Sequence, residues 1–111
     1  MAKFMLVLKG SDWNTLSPEE MQQMMGEYIG WSRTLRERGQ YHAGEELEMD
    51  GRILRGDSGR IAEGPFTETK EAVGGFYLIE AADYAEALSI AKECPHLKVN
   101  GEIEVRGVIP H

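Results

Sequence analysis

Two helix starts, at Ser17 and Asp83, constrain this chain more than any other feature, because they place two helices among segments that otherwise read as strands. In Ser17-Pro18-Glu19-Glu20 the serine can accept from the free amides of a first turn. Proline fits the first helical position, and Glu20 stands where it closes a capping box. Met21, Met24, Met25, Tyr28, Ile29, Trp31 and Leu35 follow, mostly on one helical stripe. Gly39 closes the segment behind Arg36 and Arg38, cations suited to the negative end of the helix dipole. Asp83-Tyr84-Ala85-Glu86 repeats the start signal as a second capping box. Ala87, Leu88, Ile90 and Ala91 give that helix its apolar side, and Pro95 stops it.

Strand signals fill the rest. Phe4 to Leu8 is a short apolar run between Lys3 and Lys9, with Gly10-Ser11-Asp12 as turn material. Tyr41 to Glu48 reads as a strand, and Asp50-Gly51 as a tight two-residue hairpin returning through Arg52 to Leu54. Gly56-Asp57-Ser58-Gly59 turns again before a short strand at Arg60 to Glu63, and Gly64-Pro65 interrupts. Val73 to Glu80 carries Phe76, Tyr77, Leu78 and Ile79 in succession, as a central strand does. Glu102-Ile103-Glu104-Val105-Arg106 alternates polar and apolar residues, the mark of a strand with one buried face. The order predicts an α+β, ferredoxin-like βαββαβ fold with an inserted β-hairpin and both helices on one face of an antiparallel sheet. Such a sheet leaves its other face open. Apolar residues on both sides of the Phe76–Ile79 run and at Ile103 and Val105 predict that a second copy covers it, as a homodimer.

At 111 residues the chain fits one domain, residues 1–111, with about two-thirds of its unfolded surface buried. The net charge of −7 argues against a nucleic-acid partner, since phosphate backbones attract basic surfaces. Cys94 is the single cysteine, so no disulfide can form within the chain, as suits a reducing compartment. The opening residues carry too short an apolar core for a signal peptide, and no apolar run approaches the roughly 20 residues that span a bilayer. A cytoplasmic protein without membrane contact is the expectation.

The segment Glu63-Gly64-Pro65-Phe66-Thr67-Glu68-Thr69-Lys70-Glu71, followed by Gly74-Gly75-Phe76, resembles the signature of the DGPF family, a branch of the YCII-related proteins. Cys94-Pro95-His96, Glu104-Val105-Arg106 and Gly44-Glu45-Glu46-Leu47 are similar to that family too, so the likeness runs over nearly the whole chain. The resemblance implies a ferredoxin-like dimer of the dimeric α/β barrel type, with clefts between two facing sheets, and no assigned reaction for most members. Two positions depart from the pattern. Glu63 stands where the signature has aspartate. The YCII branch carries a His on the first helix and an Asp in an Asp-Pro-Phe motif after the second. Here those positions hold Tyr28 and Cys94-Pro95-His96, so no catalytic residue carries over. A surviving pocket would be lined by Tyr28, Cys94 and His96.

His96 is the candidate for acid–base work, since imidazole titrates near neutral pH; the plainer alternative is a loop histidine closing the second helix. Tyr28 is a second catalytic candidate, or simply core. Cys94 needs a nearby cation to become a nucleophile, and inert packing is the simpler account. Glu68, Lys70 and Glu71 precede the central strand and suit either a polar ligand or assembly. Glu104 and Arg106 share a sheet face that meets either a cleft or water. His42, His96 and His111 are scattered without metal-ligand spacing, and Gly74-Gly75 lacks the sequence of a phosphate loop. A cofactor-independent enzyme acting on a small polar or aromatic molecule, by proton transfer or elimination, is one expectation. A non-catalytic ligand-binding or regulatory dimer is the other.

Overall fold

A computed structural model describes residues 1–10, 15–48, 51–54, 56, 61–63 and 73–111. The elements run β1 (Ala2–Lys9), α1 (Pro18–Glu37), β2 (Tyr41–Glu46), β3 (Arg52–Leu54), β4 (Ile61–Glu63), β5 (Val73–Ala81), α2 (Tyr84–Lys92), a 3-10 turn (Pro95–Val99) and β6 (Glu102–Gly107). Four strands form one antiparallel sheet in the order β2-β5-β1-β6. With two helices packed on it, this is an α+β arrangement of the ferredoxin-like kind.

The local chemistry explains the helix boundaries. Ser17 accepts from the Glu20 amide at 3.1 Å while Glu20 accepts from the Ser17 amide at 2.9 Å, so both ends of the capping box close. Gly39 ends α1 at φ +72°, a left-handed conformation that glycine adopts without strain. In α2, Asp83 caps the Glu86 amide at 2.9 Å, but the Glu86 carboxylate accepts from Ala82 and not from Asp83. The expected second box is therefore shifted by one residue.

Alternation along the strands sorts the sheet into two faces. Phe4, Leu6 and Leu8 of β1, with Ile79 and Ala81 of β5, face the helices and meet Trp31 and Leu35 of α1 and Ala87, Ile90 and Ala91 of α2. Leu6, Leu35 and Ile79 are completely buried, each contributing roughly 1.5–3 kcal/mol to the folded state. The register places Met5 opposite Leu78 and Val7 opposite Phe76 on the other face, and all four are only half-buried within the single chain. That face thus has an apolar centre, as the Phe76–Ile79 run predicted.

One pairing differs from expectation. β3 does not fold back on β2 across Asp50-Gly51; it pairs with β4 in a separate two-stranded ribbon, with Ile53 opposite Ala62. β2 ends at Glu46, before the expected Glu48, and takes its ladder from β5. The reason is packing. Pairing with β5 sets Tyr41 and Gly44 beside the Tyr77 and Ile79 positions over the core, whereas three-residue β3 offers no such face. Asp50 and residues 57–60 lie outside the described residues.

Candidate functional site

The end of the sheet where β1 finishes and β5 begins gathers the polar groups of interest. Tyr28 comes from the middle of α1, Tyr77 from β5, Glu46 from the last position of β2, and Cys94 from the link between α2 and the 3-10 turn. Tyr28 and Tyr77 both pack against the apolar core. Burial pushes the Tyr28 phenol well above its usual range, and its electrostatic neighbours Cys94, Tyr77 and Glu46 push the same way. The Tyr77 phenol is raised mainly by burial, with the Ser32 hydroxyl and Arg36 guanidinium acting against it. Burial lifts the Cys94 thiol to about 11, partly opposed by a hydrogen bond from the His96 backbone. At neutral pH the two phenols and the thiol are uncharged hydrogen-bonding partners.

Aromatic packing holds this site in shape. The Trp31 and Tyr77 rings meet edge to face at 4.8 Å, and Tyr41 approaches Tyr77 at 6.3 Å. The Arg36 guanidinium covers the Tyr41 ring at 4.3 Å. Glycine is required at position 44, where a Cβ would stand 2.7 Å from Tyr77 and 3.1 Å from the Tyr41 hydroxyl. Trp31 is 8% exposed, and its buried indole N–H has no hydrogen-bond acceptor among the described residues. Sequence reasoning treated Trp31 only as part of the apolar stripe. An unpaired donor of this kind has no sequence signal.

His96 lies at the same end of the sheet, but its ring is committed to the backbone. Its ring is buried, with Nε2 2.9 Å from the Lys9 carbonyl, and it fills the space that Gly101 leaves open: a Cβ there would stand 2.2 Å from Nε2. Burial lowers its pKa, with the carbonyls of Lys9, Gly10 and Glu102 acting against that. The imidazole ties the 3-10 turn to the end of β1 and the start of β6. The structure therefore packs Tyr28 against the buried cluster that holds Cys94 and directs the His96 ring to the backbone.

Glu104 and Arg106 do share a face, the open one, where Glu104 bridges Lys9 at 2.7 Å and Arg106 at 3.7 Å. The Lys9 ammonium lowers the Glu104 pKa, with Arg106 adding to the effect. Glu68, Lys70 and Glu71 lie outside the described residues. At the other end of β1, Met1, Lys3, Glu80, Val108, Ile109 and His111 line a cavity of about 470 Å³. Among the described residues no group of three His, Cys, Asp or Glu side chains is placed to hold a metal ion. Nor is any described helix long and apolar enough to cross a membrane.

A four-stranded antiparallel sheet with two helices on one face defines a small ferredoxin-like α+β protein. The chain belongs to the YCII-related family: the YCII-related domain matches residues 2–111. An uncharacterized protein of Rhizobium meliloti (strain 1021) is 45% identical over 47 residues, which is 41% of this chain and 38% of that protein's length. In fold, the chain is similar to the 5-chloro-2-hydroxyhydroquinone dehydrochlorinase of Burkholderia phenoliruptrix AC1100, solved in complex with 2,5-dihydroxybenzoquinone. The match has a TM-score of 0.50 and 18% identity, covering 98% of this chain and 94% of that one.

Proposed function

We propose that this YCII-related protein binds a small oxygenated ring at the Tyr28–Tyr77–Cys94–Glu46 cluster, and that it does so as a cofactor-independent homodimer in the cytoplasm. The observation that carries the reading is that Tyr28 packs against the buried cluster that contains Cys94 and lies within its electrostatic range. Tyr28 and Cys94 hold the positions where the YCII resemblance places the branch's His and Asp, and in the fold they are electrostatic neighbours at one sheet end. With phenols and thiol uncharged at neutral pH, the cluster offers hydrogen bonds and aromatic edges in place of a ready base. Recognition of hydroxyl or carbonyl oxygens on a ring is the chemistry such a set performs well. A ring ligand also fits the fold's occurrence in a dehydrochlorinase bound to 2,5-dihydroxybenzoquinone.

The test is a titration with dihydroxybenzoquinones and simple phenols, read by the fluorescence of Trp31 in a Trp13→Phe background. Saturable quenching that weakens about fivefold or more in Tyr28→Phe is expected, the loss of one hydrogen bond to a buried group. Binding that ignores Tyr28, or no binding across the panel, refutes the reading. A catalytic version, by proton transfer or elimination, would need Glu46, which lies within electrostatic range of the Tyr28 phenol, as its proton acceptor. Turnover abolished in Glu46→Gln with binding intact would establish it. We place dimerisation on the open sheet face, around Met5, Val7, Phe76 and Leu78, whose apolar centre a twin copy would cover. Sedimentation of Met5→Glu as a monomer, beside a wild-type dimer, is the expected result.

A further inference from the structure

The outward face of α1 carries two glycines that the fold of one chain does not require. Gly26 and Gly30 stand in the interior of a 20-residue helix, one turn apart, and both are exposed. A Cβ at either position would meet no atom within 4 Å, and neither glycine has a positive φ. Glycine is a poorer helix former than any residue except proline, so a larger side chain would fit and would favour the helix. Beside them lie Met25 and Ile29, 48% and 57% exposed. This face is turned away from the sheet, which α1 meets through Trp31 and Leu35.

Charges are arranged in step with the glycines. Glu19 lies seven residues before Gly26 and Arg33 seven residues after it. Positions seven apart on an α-helix differ by only about 20° in direction, so the three share one stripe. Glu19 and Arg33 are exposed, and neither forms an ion pair with a described residue. Reversed end for end, the stripe is its own complement. A two-fold axis at Gly26 sets Glu19 of each helix against Arg33 of the other, roughly 10 Å along the helix from the crossing point. The same register brings Gln22 over the space at the second copy's Gly30. Met25 and Ile29 of both helices then gather on one side of the crossing.

We propose that α1 is a self-association surface that pairs antiparallel with α1 of a second copy across Gly26, with Glu19–Arg33 ion pairs at both ends. The missing Cβ atoms let the two backbones approach closely where the helices cross. The opposed charges select the antiparallel register, since a parallel one sets Glu19 against Glu19. A single helix crossing buries less than a standard interface, so the pairing is weak and shows itself at high protein concentration. It lies across the sheet from the Met5–Val7–Phe76–Leu78 face and is independent of the dimer placed there. Where both contacts form, they join dimers into tetramers.

Sedimentation equilibrium from about 10 µM to about 1 mM tests the pairing, on wild type and on Met5→Glu, which removes the sheet-face contact. Met5→Glu should pass from monomer to dimer within that range, and wild type from dimer to tetramer. Adding Arg33→Glu should raise the dissociation constant of that step by about tenfold or more. Combining it with Glu19→Arg should restore the constant to within about twofold, which a mere loss of helix stability would not do. Gly26→Gln should weaken the step as Arg33→Glu does while its melting temperature holds or rises. The wild-type series reads the same step without relying on the folding of Met5→Glu. If Arg33→Glu and Gly26→Gln associate as their parent does, or the charge swap restores nothing, the pairing is wrong. If wild type stops at a dimer and Met5→Glu stays monomeric, the α1 contact falls and the sheet-face dimer stands. If Met5→Glu associates as wild type does and Gly26→Gln is monomeric, the α1 contact stands alone. A wild type that is monomeric throughout refutes both.

Discussion

Replacing Gly101 with alanine tests how the candidate histidine is used. A Cβ at position 101 would lie 2.2 Å from His96 Nε2, 2.4 Å from Cδ2 and 2.7 Å from Cε1, so the ring must move by more than an ångström. It has little freedom to do so, because it is buried and Nε2 is bound to the Lys9 carbonyl at 2.9 Å. Overpacking of this kind costs roughly 1–3 kcal/mol. Pulling the imidazole off its acceptor leaves a buried polar group unsatisfied, for about 1–3 kcal/mol more. Together the substitution should remove about 2–6 kcal/mol, a large share of a typical domain's stability, and lower the melting temperature by roughly 10–30 °C. Urea and thermal unfolding followed by circular dichroism measure it. In a His96→Ala background the same change meets empty space and should cost little, so the double-mutant cycle should show a coupling of about 2 kcal/mol. A Gly101→Ala protein within about 0.5 kcal/mol of wild type would refute the reasoning, as would an equal cost with and without the ring.

Three further outcomes follow from the geometry. Burial holds the folded His96 pKa below its usual 6.5, so on acidification the unfolded chain takes the proton first. Stability should be full above about pH 6.5 and fall as pH drops below it, with that slope removed in His96→Phe, as melting curves from pH 5 to 8 would show. Cys94, raised to about 11 from a usual 9.0, should react with a disulfide reagent at pH 8 at least about tenfold more slowly in the folded protein than in urea; equal rates would contradict its burial. Gly44→Ala drives a Cβ to 2.7 Å from the Tyr77 ring and should cost about 1–3 kcal/mol while altering the near-ultraviolet circular dichroism of the Trp31–Tyr77–Tyr41 stack.

The helices were readable to the residue at their starts, because a cap is a contact between groups three positions apart. Ser17, Pro18 and Glu20 carry that information whatever the rest of the chain does. The strand faces were readable for the same reason: alternation at Ile103 to Arg106 is local, and Glu104 and Arg106 do point to one side. Family resemblance supplied the positions Tyr28 and Cys94, and the sequence could say only that neither is a histidine or an aspartate.

Everything that depends on contacts distant along the chain was decided in three dimensions. Asp50-Gly51 looked like a complete hairpin signal, yet β2 found its partner in β5, roughly thirty residues away, because only there does its inner face reach the core. His96 looked available beside Cys94, but its ring spans 87 residues to reach the Lys9 carbonyl, and the space it occupies exists only because residue 101 has no side chain. Local hydrogen bonding is written in short sequence words. Burial, neighbour electrostatics and strand pairing arise when distant segments compete for one core, and only the folded chain settles that competition.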